Sequence, residues 1–256
     1  MCFTIIKSIM KKVIIYILLV FLLTPSLSNA QRWKRYKYEM VFGLGTINLF
    51  GDMGGGSGVA RHNSLDFDIE GTRPGLYVGG RYKFQELLAM KINMMLGMAN
   101  ASDDYTDNND RSRRGASSNV FMFEPSVQIE YSLVKERYSR RYTFANISRF
   151  NMSHVNTYLF IGAGALFYSP TVTRAVNTDV GEAHSIVAMA FPMGIGFKYA
   201  INRLYTCGLE IGNRYTTTDY LDGHSDKFSQ ANDSYLFLLF SVSKRLRSTR
   251  KGLPRF

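Results

Sequence analysis

The amino-acid sequence predicts an all-β fold: an eight-stranded antiparallel transmembrane up-and-down β-barrel, preceded by a cleaved signal peptide. Three observations predict it. An export leader opens the chain. After it, stretches of about ten residues that alternate apolar with polar or small residues recur eight times, the period of a strand with two unlike faces. The polar-or-small face of these stretches is crowded with glycine, which weakens a strand unless another group must come close to it.

The leader is read first. Lys7, Lys11 and Lys12 precede an apolar run at 13–23, and Ser28-Asn29-Ala30 supplies small residues for cleavage after Ala30. The run is short for a membrane-spanning helix, so residues 1–30 are expected to be a removed signal peptide. Residues 31–37 then form a basic periplasmic leader, 38–247 the barrel and 248–256 a basic periplasmic tail.

Composition agrees with this and excludes other classes. The 256 residues are 46% hydrophobic and 14% aromatic, too apolar for disorder. Two cysteines, one of them Cys2, exclude a disulfide framework and a Cys-rich zinc site. A mean hydropathy of −0.10 excludes a bundle of membrane helices but not a barrel, whose strands are only half apolar.

The strands are expected at 38–49, 74–84, 87–98, 120–133, 157–168, 185–199, 204–217 and 234–246. In the third, Met90, Ile92, Met94, Leu96 and Met98 oppose Lys91, Asn93, Met95 and Gly97; in the fourth, Val127, Ile129 and Tyr131 oppose Glu124, Ser126, Gln128 and Glu130. The sixth sets Val187, Met189, Phe191 and Met193 against Ala188, Ala190, Gly194 and Gly196, and the last two follow the same rule. Eight strands leave an interior that side chains just fill, so a large inward residue must face a small one. That need accounts for Gly43, Gly45, Gly79, Gly97, Gly162, Gly164, Gly194, Gly196, Gly208 and Gly212 on the inner face. The apolar face then meets lipid, with Tyr38, Tyr82, Tyr131, Tyr158, Tyr199 and Tyr215 in an interfacial girdle.

Charges on the inner face have to pair or stay wet, because a lone buried charge is very costly. Glu39, Glu124, Glu130 and Glu210 share that face with Arg81, Lys83, Lys91, Lys198, Arg214 and Arg245, and are expected to form a structural ion-pair plug. Two connections are tight, at 85–86 and 200–203, whereas those at 50–72, 99–118, 169–184 and 218–233 are long and belong outside the cell. The inner turn at 134–155 is unusually long.

Charge divides between the two ends. The four long external loops sum to −8, with Asp103, Asp104, Asp107, Asp110, Asp219, Asp222, Asp226 and Asp233 among the contributors. The leader, the inner turns and the tail sum to +12. Lys135, Arg137, Arg140, Arg141, Arg149, Arg250 and Lys251 are therefore a candidate docking surface for an acidic periplasmic protein, with plain solubility or attraction to lipid phosphates as the alternative. Nucleic acid is not an expected partner in that compartment, and no small-molecule substrate is identified.

Enzyme signals are weak. His62, His154, His184 and His224 all fall in loops, and the H-E-x-x-H, G-x-S-x-G and P-loop patterns are missing. The Gly-x-Gly pairs lie inside strands rather than at strand-to-helix turns. No catalytic residue, metal ligand or cofactor is expected.

Several stretches resemble a family of small outer-membrane barrels from Bacteroidota that includes the PorG-type component of the type IX secretion system. They are residues 38–55 (YEMVFGLGTINLFGDMGG), Thr72-Arg73-Pro74 leading into RYKF, 191–199 (FPMGIGFKY), 208–221 (GLEIGNRYTTTDYL), 232–236 (NDSYL) and 250–256 (RKGLPRF). These are mostly strand and turn determinants spread over much of the barrel. The resemblance implies residence in the outer membrane with both termini in the periplasm. It also implies association with a periplasmic ring of PorK- and PorN-like proteins, which would give the basic inner surface its partner. The other function in view is a structural or surface-binding barrel that acts through its acidic external loops, without a secretion role.

Overall fold

The computed structural model describes residues 32–51, 71–102, 116–134, 155–174, 186–223, 232–249 and 253–255. The chain divides into two units, Met1–Arg32 and Trp33–Phe256, and the fold described here is that of the second. Among the described residues, a single 3-10 turn at Arg32–Arg35 is followed by nine strands: β1 (Tyr38–Phe50), β2 (Arg73–Lys83), β3 (Leu88–Ser102), β4 (Ala116–Ser132), β5 (Val155–Arg174), β6 (Val187–Ala200), β7 (Tyr205–Thr216), β8 (Ser234–Ser248) and the two-residue β9 (Pro254–Arg255). Each of the first eight pairs antiparallel with the next, and β1 pairs with β8 from Tyr38↔Leu246 to Phe50↔Ser234, which closes the barrel. β9 lies against the end of β8, Arg247 opposite Arg255, so part of the expected tail is strand.

The ladders follow from alternation. A strand with one apolar and one polar face has a single register that keeps every apolar residue on the same side. In β3 burial alternates from Ala89 to Met98, with Met90, Ile92, Met94, Leu96 and Met98 outward and Lys91, Asn93, Met95 and Gly97 inward. Tight turns set the phase at one end. At 201–204, Asn202 Oδ1 accepts from the backbone N–H of Leu204 at 2.8 Å and of Tyr205 at 2.7 Å, an Asx turn that starts β7.

The barrel is inverted relative to a water-soluble protein. Phe42, Leu44, Leu76, Ile92, Met94, Ile161, Met189 and Phe240 are each more than half exposed on the outside, while every charged residue assigned to the inner face is buried.

Three expectations need correction. First, β3, β4 and β5 run four to six residues further toward the long loops than the expected ends at 98, 120 and 168. Their extensions are rich in Ser, Thr, Asn and Ala, so hydrophobic alternation is lost there while the ladder continues through Ser102↔Ser117 and Ala116↔Arg174. Second, Tyr158 is not in the outer girdle: it is 1% exposed and lies inside. It shares its parity on β5 with Gly162 and Gly164, and the glycine face of β5 is its inner face. Third, Asp222 and Asp233, counted among the external loop charges, are fully buried at that end of the barrel. Tyr131 and Tyr215 are exposed and Tyr38, Tyr82 and Tyr199 half-buried. The Tyr38 ring packs tilted against that of Tyr82, centroids 5.0 Å apart, at the short-turn end.

Candidate functional site: a charged lumen beneath an apolar plug

Side chains on the inner faces sort into levels. Nearest the short turns is an ion-pair cluster centred on Arg81 of β2. Its guanidinium lies 2.6 Å from Glu39 of β1, 2.7 Å from Glu130 of β4 and 3.6 Å from Glu210 of β7. Lys91 of β3 reaches Glu210 at 2.8 Å and Glu130 at 3.2 Å, and Lys198 of β6 reaches Glu130 at 3.0 Å. Glu39 also holds Lys83 at 2.7 Å and Arg245 of β8 at 3.5 Å. One level up, Arg214 of β7 pairs with Glu124 of β4 at 3.1 Å, and the Tyr235 hydroxyl donates to the same carboxylate.

All ten charged residues read from the sequence thus sit inside, none more than 5% exposed. Tyr158 completes the set: its hydroxyl donates to Glu210 at 2.5 Å and its ring lies 4.1 Å from the Lys198 ammonium. With it, the network draws on all eight barrel strands. Buried pairs of this kind add little net stability, but breaking one strands a charge at a cost of about 3–5 kcal/mol. A one-residue slip of any strand would turn its charge outward and orphan its partners.

Glycine makes the room. A Cβ at Gly196 would collide with the Tyr158 ring, and one at Gly212 would stand 2.6 Å from the tip of Phe160.

The other half of the lumen is apolar, which the sequence reading missed. Ile47, Leu49, Met95, Val120, Met122, Leu166, Phe237 and Leu239 pack there with Tyr77, Tyr168 and Tyr235. Leu221, from the segment after β7, is fully buried in the same cluster. Asp233 anchors that segment: its carboxylate accepts from Leu221 N–H at 2.8 Å and its carbonyl from the Thr216 hydroxyl at 2.7 Å. Gly223 turns the chain at φ 80°, against Pro170 and Val172. The signal was available in the parity of Ile47, Leu49, Met95, Met122 and Phe237, which falls with the polar face of each strand.

The expected docking residues Lys135, Arg137, Arg140, Arg141, Arg149, Arg250 and Lys251 lie outside the described residues, as do the four histidines. Lys34, Arg35, Arg203, Lys244 and Arg247, at the short-turn end of the barrel, are exposed. Among the described residues no group of three or more His, Cys, Asp or Glu is placed to hold a metal ion, and no helix is long and apolar enough to cross a membrane.

Comparison with known proteins adds the following. A family model described as "Domain of unknown function (DUF6089)" matches residues 11–242. No curated protein matches the chain. Among solved structures it is similar to Neisserial surface protein A, with 10% identity, a TM-score of 0.46 and coverage of 81% of this chain and 96% of that one. It is also similar to the outer membrane protein OprG from Pseudomonas aeruginosa, at 8% identity, TM-score 0.41 and coverage of 84% and 98%. A major outer membrane protein from Thermus thermophilus gives 12% identity, TM-score 0.41 and coverage of 81% and 99%. None is close enough to lend this chain a function.

Proposed function

The chain belongs to the DUF6089 family, and from that starting point we propose that it is a non-enzymatic outer-membrane β-barrel that anchors or positions a periplasmic protein-secretion assembly of the type IX, PorG-like kind. The single observation that carries the membrane reading is the inversion of the barrel. Large apolar side chains exposed on the outside of every barrel strand, many of them more than half, over a charged interior, are stable only where hydrocarbon covers them. A closed barrel also leaves no strand edge unpaired, as a lipid environment requires.

The anchoring role rests on charge. Lys34, Arg35, Arg203, Lys244 and Arg247 are exposed at the short-turn end, and the sequence adds Lys135, Arg137, Arg140, Arg141, Arg149, Arg250 and Lys251 in its basic inner turn and tail. A basic surface of that extent suits an acidic periplasmic partner, such as a ring of PorK- and PorN-like proteins. The lumen network has a structural part in this reading: it holds the barrel in one register so that the basic end is presented as a fixed platform.

The test is a pull-down of the tagged barrel from gently solubilised envelopes, read by mass spectrometry. Charge reversal at Arg137, Arg140 and Arg141 is expected to release the partner while the barrel still inserts. Retention of the partner at physiological salt overturns the anchoring role. Loss of function on deleting 103–114, with the basic residues intact, points instead to a barrel that works through its external loops.

A further inference from the structure

The outside of the barrel is not uniform. Across the seam of β8, β1 and β2, the ladders align outward residues in rows: Phe240–Leu44–Leu76, then Val242–Phe42–Val78, then Lys244–Met40–Gly80. The first two rows, continued by Met94 and Leu96 of β3 and Phe123 of β4, line an apolar groove of about 730 Å³. That volume lies within the range of about 300–1,000 Å³ typical of sites for drug-sized ligands, enough for an acyl chain.

The third row differs in kind. Lys244 is exposed and follows Val242 on the same face, about 7 Å further along the strand. On its other side it pairs with Tyr205, the exposed first residue of β7, which places it at the short-turn rim. Gly80 faces outward, and a Cβ there would meet nothing within 4 Å. Unlike the inner glycines, it makes room for no neighbouring side chain. Its effect is to keep the outside open beside Met40, on the far side of Met40 from Lys244 and one row from the groove.

We infer that this seam binds one anionic glycerophospholipid, its acyl chain in the groove and its phosphate on Lys244, with the Tyr205 phenol at headgroup level. The inference rests on the membrane reading above. An outward Lys next to an apolar groove is stable when its stem lies along the hydrocarbon and its ammonium reaches the headgroups. The cation one row beyond the groove selects a negatively charged headgroup, and the apolar lining of the groove suits a hydrocarbon chain.

The test uses the full chain reconstituted in nanodiscs of equal parts phosphatidylcholine and phosphatidylglycerol, then released for native mass spectrometry. The expected result is a single retained lipid, predominantly phosphatidylglycerol. Lys244→Gln should weaken the preference for phosphatidylglycerol about fivefold, the effect of losing one cation near a lipid surface. Gly80→Phe, which fills the open end without touching the lumen, should reduce retention of both lipids. Insertion with equal retention of the two lipids, or a preference unchanged by Lys244→Gln, overturns the site. Failure of the chain to enter the nanodiscs overturns the membrane reading itself, and the site with it.

Discussion

Glu130, like Glu39, holds three cations in the lumen: Arg81 at 2.7 Å, Lys198 at 3.0 Å and Lys91 at 3.2 Å. Glu130→Gln keeps the shape and removes the charge. The lower cluster then holds Arg81, Lys83, Lys91, Lys198 and Arg245 against only Glu39 and Glu210. Stranding charge in a buried site costs about 3–5 kcal/mol, a large part of the about 5–15 kcal/mol by which a domain is stable. With a urea slope of about 2 kcal/mol/M, the unfolding midpoint should fall by about 2 M. The assay is reversible urea unfolding of the reconstituted barrel, followed by circular dichroism in the β-sheet band. Lys198→Met is the companion variant. It removes one cation from a cluster with an excess of them and fills the space with an apolar chain, so it should cost less than half as much. The double variant should recover part of the Glu130→Gln loss. A midpoint for Glu130→Gln within about 0.5 M of wild type would refute the view that these charges hold the barrel's register.

Other outcomes follow from the same geometry. Ile161→Arg, on the outside at 59% exposure, should lower stability in a bilayer by about 2–4 kcal/mol if it lies near the midplane; a neutral result in vesicle unfolding experiments would count against lipid as the outer solvent. Gly196→Ala should impair folding, because the new methyl meets the Tyr158 ring, and pairing it with Tyr158→Leu should restore much of the heat-modifiable folded band on gels. Gly223→Ala forces a side chain into a φ 80° turn against Val172, at about 1 kcal/mol or more, and should open the segment that carries Leu221 to limited proteolysis while leaving the barrel intact.

Much of the architecture could be read from residue order alone, for one reason. A strand's side chains alternate with period two, so a sequence that separates Met90, Ile92, Met94 and Leu96 from Lys91, Asn93 and Gly97 has already chosen its two faces. Eight such stretches determined the strand number, the closed antiparallel order and the inward placement of ten charged residues. What alternation cannot carry is the identity of partners across the lumen, since Arg81 meets Glu130 and Lys91 meets Glu210 through strands far apart in sequence. Only closure of the barrel brought those groups together, and only closure turned Tyr158 into a lumen hydroxyl on Glu210. The burial of Leu221, Asp222 and Asp233 and the groove beside Lys244 are likewise tertiary facts. Each depends on how side chains from several strands share one small volume, and local periodicity holds no record of that sharing.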